Sequence, residues 1–227
     1  MTEGSRYGYW SDHKYTRRTI KHSFLKFCGW NVLEDTLNKI DPINAPLVCA
    51  LFETGGRAEE VLTLRPEQFV VEDDYVLVMR MSVLKQREKV YTRTKSGEYI
   101  LDKKGQRKFT WRRREVDRTF PISRSDPLMP PLLSYIKTVK EGDRLFKYKY
   151  DKLYKIVRDI QKPEDAKHGP WWPHRFRAER ATQLVVEKGF DVLGLMEWFG
   201  WKRTDTPVNY AKLNPKDLIK KVLRGEP

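Results

Sequence analysis

The sequence predicts an α+β fold that is mainly helical, and three observations predict it. Apolar residues recur at helical spacing near the start of the chain and through most of its C-terminal half. Two short stretches rich in Val, Leu, Met, Tyr and Phe stand between those regions. A basic tract punctuated by two glycine turns joins the two stretches. With 227 residues the chain can bury one sizeable core.

Taken in order, the first 20 or so residues are polar, aromatic and basic without a period, which predicts an arm or a tie to a neighbouring unit. From Ile20 to Ile40 the residues Phe24, Leu25, Phe27, Cys28, Val32, Leu33 and Leu37 fall at helical spacings, with Gly29 as a break, so one or two short helices are expected. Pro46 suits the first turn of the next helix, and Leu47, Val48, Ala50, Leu51 and Phe52 bury it until Gly55-Gly56 stops it. A second helical start follows at Arg57. Asp74 to Leu84 and Glu115 to Ile122 read as strands. The tract between them, with turn signals at Ser96-Gly97 and Lys104-Gly105, predicts an extended, exposed β-hairpin. Asp126-Pro127 opens a helix, Tyr150 to Ile160 forms another, and Pro173 opens a third that ends at Gly189. Asp191 caps a short helix up to Gly200, a turn at Thr204 to Pro207 precedes Tyr210, and Asn214-Pro215 starts a last helix with Leu218, Ile219, Val222 and Leu223. No internal repeat is read.

Lys and Arg number 45 against 31 Asp and Glu, a net charge of +14. Such an excess favours a polyanionic partner, nucleic acid before an anionic membrane surface, although ribosomal and heat-adapted proteins share it. Cys28 and Cys49 sit among apolar residues, which argues against a disulfide framework or a zinc site and for a reducing cytosol. No run of about 18 apolar residues occurs, and the N-terminus MTEGSRYGYWSDHKYTRR lacks a signal peptide's apolar stretch. A soluble intracellular protein without a membrane partner is expected. The high charge and the Tyr and Trp content suit a heat-adapted archaeal or viral source.

Three segments carry candidate chemistry. In TGGRAEEVLTL, residues 54–64, a glycine pair delivers Arg57 to a helix start, and Glu60 one turn later orients a guanidinium that can fork onto phosphate. In PHRFRAERATQLVVEKG, residues 173–189, His174 and Arg177 share a face near a helix N-terminus, where backbone donors favour anions. In LMEWFGWKRTDTPVNYAKL, residues 195–213, Gly200-Trp201 ends a helix and Tyr210 follows nine residues after the Trp. Taken singly, each has a plainer reading: a surface ion pair, a packing histidine, a buried tryptophan.

In this order and spacing the three segments resemble the tyrosine recombinases, the phage integrase family, over about residues 43–213. The resemblance implies the catalytic-domain fold of that family, with a small antiparallel sheet and hairpin packed on a helical bundle. It divides the chain into residues 1–42, an arm and short helices that are a remnant of or linker to a missing DNA-clamping domain, and a catalytic domain at 43–227. It makes Tyr210 the nucleophile and Arg57, His174, Arg177 and Trp201 its companions, supported by Glu60. The family's catalytic lysine lies on the β-hairpin, where Lys85 matches best and Lys89, Lys95 and Lys108 are rivals. Ala178 replaces the family's frequent His after the second Arg, and Trp201 its commoner His.

The expected chemistry follows from the residue types. Attack of the Tyr210 oxygen on a phosphodiester adds negative charge to the nonbridging oxygens, which two guanidiniums neutralise. A phenol with a pKa near ~10 needs a base, for which His174 is the candidate, and the leaving 5′ oxygen needs an acid, for which Lys85 is. The phosphoester is exchanged, so neither metal nor other cofactor nor ATP is required. The expected function is a site-specific recombinase or integrase acting on double-stranded DNA as a dimer or tetramer. Lys89, Arg93, Lys95, Lys103, Lys104, Arg107, Lys108 and Arg112 of the hairpin are expected to bind DNA. The alternatives are a type IB topoisomerase and a non-catalytic basic DNA-binding module. Cleavage in cis or in trans is left open, as is docking of the last helix on its own domain or on a neighbour.

Overall fold

The computed structural model describes residues 27–83, 87–113, 116–160 and 171–211. The N-terminal arm, the segment 20–26, Lys85 and the helix expected from Pro215 lie outside the described residues. The first described helix, α1 (Trp30–Asn38), starts directly after Gly29. It joins the core through Leu33 and through Trp30, whose ring meets Phe52 edge-on at 5.4 Å. Helix α2 (Ala45–Glu53) has proline in its first turn and is buried from Leu47 to Glu53. The one-turn helix α3 (Ala58–Val61) begins after Arg57.

A three-stranded antiparallel sheet follows, in the order β1 (Phe69–Val71), β2 (Tyr75–Ser82), β5 (Asp117–Ser123). The sequence reading missed β1, which at three residues is too short to show alternation. Pro121 is tolerated because β5 is an edge strand. Alternate residues face the core, with Val76, Val78, Phe120 and Ile122 buried. A bulge between Val78 and Met81, with Arg80 at φ 51°, bends β2 and sends Met81 inward.

Helix α4 (Met129–Ile136) starts three residues after Asp126, later than the Asp126-Pro127 signal predicts, and packs on α2. Helix α5 (Tyr150–Arg158) buries Leu153, Ile156 and Val157. Helix α6 (Pro173–Val186) is buried around most of its surface, with His174 exposed in its first turn, and packs against α2 and the short α8 (Pro207–Ala211). Between them α7 (Val192–Phe199) is capped by Asp191, whose Oδ1 accepts the Gly194 N–H at 2.7 Å. Gly200 ends it in the left-handed region at φ 64°. The helical bundle and the sheet share one core. No helix among the described residues is long and apolar enough to cross a membrane.

The basic tract is more than a hairpin. β3 (Arg87–Tyr91) and β4 (Phe109–Arg113) form a two-stranded stem separate from the main sheet. Beyond it the chain folds into two arms of eight residues, 92–99 and 100–107, with bridges Arg93–Tyr99 and Leu101–Arg107. Three backbone bonds close a ring where stem and arms meet: Thr92 N–H to Lys108 O at 2.9 Å, Lys108 N–H to Ile100 O at 2.7 Å, and Ile100 N–H to Thr92 O at 3.0 Å. The two arms are alike in backbone pairing and not in sequence. Only Lys95 and Lys103, and Gly97 and Gly105, recur in identity, too little to stand out in sequence.

Candidate active site

The site is built where two chain turns meet, one after α2 and one after α7. Thr54 closes the first: its hydroxyl donates to Ala50 O at 2.6 Å and accepts the Gly56 N–H at 3.1 Å. Gly55 has φ 55°, and a Cβ there would lie 2.3 Å from the Phe199 ring, so conformation and close approach both require glycine. The turn delivers Arg57 to the start of α3. Glu60 then reaches back, accepting the Arg57 N–H at 3.0 Å and its Nη1 at 2.7 Å. This is one half of a capping box, and it fixes both ends of the arginine. The Arg57 side chain stays 22% exposed while Glu60 is fully buried.

Arg177 comes from the second turn of α6 and lies beneath. Its Nη1 donates to Gly55 O at 2.6 Å and its Nη2 to Phe199 O at 3.1 Å, and Glu60 is 3.7 Å away. The sequence suggests an open phosphate site at a helix start; the guanidinium is instead 0% exposed and faces the interior. Burial, then Arg118 and Arg57, push its pKa down, and Glu60 and Tyr210 oppose them. An arginine keeps its proton at neutral pH. Burial also works to raise the Glu60 carboxyl, but Arg177, Arg57 and Arg118 outweigh it, and the group lies below its ordinary value.

Aromatic rings bring the tyrosine to this floor. Phe199 stacks on Trp201 at 4.5 Å, and Trp201 stacks on Tyr210 at 5.6 Å with the planes 5° apart. The Arg177 guanidinium sits over both Phe199, at 4.6 Å, and Trp201, at 5.2 Å. Burial raises the Tyr210 phenol above its ordinary pKa, while Arg177 and Arg57 pull it down without cancelling the rise. Tyr210 is therefore a neutral phenol at pH 7, and any reaction of its oxygen as a nucleophile requires that its proton be taken. Arg57, Glu60, Arg177, Trp201 and Tyr210 are thus brought together from three separate stretches of chain. His174 stands exposed one helical turn before Arg177.

Arg118 was missed by the sequence reading. It points inward from β5, and its Nη2 donates to Thr54 O at 3.1 Å and its Nη1 to Trp198 O. It lies over Phe120 at 4.6 Å, with Glu60 4.0 Å away. Burial lowers its pKa to about 10 against the pull of Glu60. The available signal was phase: Arg118, Phe120 and Ile122 alternate along one strand, so a core-facing pattern begins on a charge.

All eight hairpin cations expected to bind DNA are exposed. Arg93 and Arg107 each lie 4.3 Å from the Tyr99 ring, and Arg93 Nη2 donates to the Tyr99 hydroxyl at 2.6 Å. Tyr91 meets Tyr99 and Phe109 edge-on, and Lys89 covers Phe109 at 4.4 Å. Lys89, Arg93 and Arg107 with the rings of Tyr91, Tyr99 and Phe109 therefore form one stripe, exposed except at the half-buried Tyr99. The two cysteines are inert by comparison: burial pushes Cys49 up to about 12 and Cys28 higher still.

Among solved structures the chain is similar to the XerA recombinase at 16% identity, covering 90% of this chain and 66% of that one with a TM-score of 0.57. It is similar to the XerH site-specific recombinase bound to difH substrate in a pre-cleavage complex at 18% identity, covering 89% and 54% with a TM-score of 0.55. A Tn1549 transposon integrase in complex with transposon right end DNA matches at 14% identity, covering 90% and 66% with a TM-score of 0.53. The likeness is one of fold, and the chain spans roughly half to two thirds of those chains. No curated protein matches by sequence. The phage integrase family model matches residues 31–217, and the chain belongs to that family.

Proposed function

We propose that the chain is a site-specific DNA recombinase or integrase that cuts and rejoins strands through a 3′-phosphotyrosyl intermediate, without metal or ATP. The observation that carries this reading is the stack of Tyr210 on Trp201 above Arg177, with Arg57 held beside it by Glu60. In the proposed step the Tyr210 oxygen bonds to phosphorus and the bond from phosphorus to the 5′ oxygen breaks. The phenolic proton passes to His174, and Lys85 protonates the leaving oxygen. Arg57 and Arg177 stabilise the charge that builds on the nonbridging oxygens. Reversal on another strand's 5′ hydroxyl rejoins the DNA, because the phosphoester energy is kept.

Double-stranded DNA inside the cell is the proposed partner, and the exposed stripe of the hairpin is its second contact. Lys89, Arg93, Lys95, Lys103, Lys104, Arg107, Lys108 and Arg112 supply charge for phosphates. Strand exchange requires two duplexes, so two or four chains assemble on DNA; the mass of the protein–DNA complex in solution checks this.

The central test uses a pool of nicked duplexes of randomised sequence, in which the short fragment beyond the cut diffuses away and traps the intermediate. Wild type should give a covalent protein–DNA adduct and Tyr210→Phe none. Equal adduct from both proteins would show that Tyr210 is not the nucleophile, and none from wild type would leave a non-catalytic DNA-binding module. Replacing the leaving 5′ oxygen by sulfur, which departs without a proton, should rescue Lys85→Met and not Tyr210→Phe. A lack of rescue passes the acid role to Lys89, Lys95 or Lys108.

A further inference from the structure

We propose that Arg118 is a positioning residue for strand cleavage, locking the turn that carries Arg57 to the turn that carries Trp201. The inference rests on the catalytic reading of Arg57, Arg177 and Tyr210 given above. Arg118 and Arg177 span the same two turns through successive carbonyls. Arg118 joins Thr54 O to Trp198 O, and Arg177 joins the next residues, Gly55 O to Phe199 O. Those four oxygens belong to the C-terminal ends of α2 and α7, where helices leave carbonyls unpaired and present the negative end of their dipoles. Two neighbouring guanidiniums are tolerated there because the carbonyls and Glu60, 4.0 Å from one and 3.7 Å from the other, offset their repulsion.

Arg118 does not touch substrate. Its side chain is 3% exposed, lying under the sheet against Phe120 and Met81 Sδ. It acts through what it ties. Without it, buried carbonyls at Thr54 and Trp198 lose their donor, and Glu60 loses one of three cations. Glu60 is the group that fixes both the N–H and the guanidinium of Arg57. A displacement of about 1 Å at a reacting centre costs about 10²-fold in rate. Lysine would keep the charge, but one ammonium cannot span two carbonyls on opposite turns.

The test compares wild type with Arg118→Lys in two measurements. Amide hydrogen exchange reads the lock itself: residues 54–57 and 198–201 should exchange about tenfold faster while the body of α6, which Arg118 does not tie, is unchanged. Single-turnover adduct formation at saturating randomised nicked duplex should fall about 10²-fold, with affinity for that pool within about twofold of wild type. Unchanged exchange in both turns overturns the proposal, and so does looser exchange with a wild-type rate of adduct formation. If the lysine variant does not fold, Arg118→Gln, whose neutral amide reaches one turn, is held to the same two readouts. If wild type forms no adduct, the nucleophile reading fails separately, and the exchange measurement alone then decides the lock.

Discussion

The floor beneath Tyr210 and the finger at residues 87–113 use the same side chain in opposite surroundings. On the floor Arg177 and Arg118 are almost fully buried, and each ties its two terminal nitrogens to backbone carbonyls of two turns. On the finger Arg93 and Arg107 are exposed, flank one tyrosine ring, and belong to a segment, 87–113, with ten Lys or Arg against three acidic residues. A buried charge is costly to remove water from and acts at short range with little screening. An exposed one costs little and is screened within about 10 Å at 0.1 M salt. The floor is thus built to hold geometry and field, and the finger, on the proposed function, to supply affinity that salt can tune.

One substitution made in both regions gives the sharpest contrast. Arg177→Lys leaves a buried ammonium able to serve Gly55 O or Phe199 O but not both. A loss of about 3–5 kcal/mol in stability is expected, together with about 10²- to 10³-fold slower adduct formation. Arg93→Lys should leave unfolding within about 0.5 kcal/mol of wild type. Thermal unfolding of the two variants side by side checks the difference. Equal effects would mean that burial does not separate the regions.

Excising the finger is the next largest perturbation, and register makes it clean. Tyr91 pairs directly with Phe109, so residues 92–108 can be replaced by Asn-Gly, a two-residue turn suited to an antiparallel pair. Six cations leave with the arms. If half of them meet phosphates, the slope of log affinity against log salt should drop by about 3, since each such contact contributes about 0.9. With Lys85 as the acid, adduct formation at saturating DNA should stay within about threefold, because the Tyr210 floor stands on other elements, the turns after α2 and α7 together with α6 and α8. A salt titration of binding decides it, and an unchanged slope would remove the finger from the DNA interface.

How much of this was legible in sequence depended on punctuation. Arg57, Arg177, Trp201 and Tyr210 stand beside signals that local chemistry makes obligatory: Gly55-Gly56 ahead of one helix, Pro173 at the start of another, Gly200 at the end of a third. Those marks set the spacing that revealed the family. Arg118 carries no such mark. It sits within a strand at an inward position, where charged residues are rare, and only the carbonyls of two distant turns explain it. The two arms of the finger were hidden for a similar reason: their likeness lies in a ring of backbone bonds, to which side-chain identity contributes little. The depth of Arg177 was equally illegible, because α6 buries charged and polar residues along with apolar ones, so no polar face marks which residues point inward.

The buried half of the comparison can itself be divided by counting donors. Glu60 has three cations around it and a backbone N–H, and it lies below its ordinary pKa. Glu53, equally buried, shares Arg180 with Asp126. Arg180 is 3.3 Å from Glu53 but 2.9 Å from Asp126, which also holds Lys188 at 3.2 Å. Burial therefore dominates at Glu53 and pushes its carboxyl up to about 8, with Arg180 opposing. A carboxyl whose pKa is higher folded than unfolded binds more protons in the folded state between those two values, so its contribution to stability is complete at low pH and is lost as pH rises. Stability should fall from about pH 4.5 to about pH 8 and then level off. The slope within that window is at most about 1.4 kcal/mol per pH unit. Glu53→Gln, which keeps shape without titrating, should flatten the window, while Glu60→Gln should leave the slope there in place. Denaturant unfolding at intervals between pH 5 and 9 measures it; parallel profiles for wild type and Glu53→Gln would show that Glu53 is already ionised, and that one shared arginine suffices where Glu60 has three.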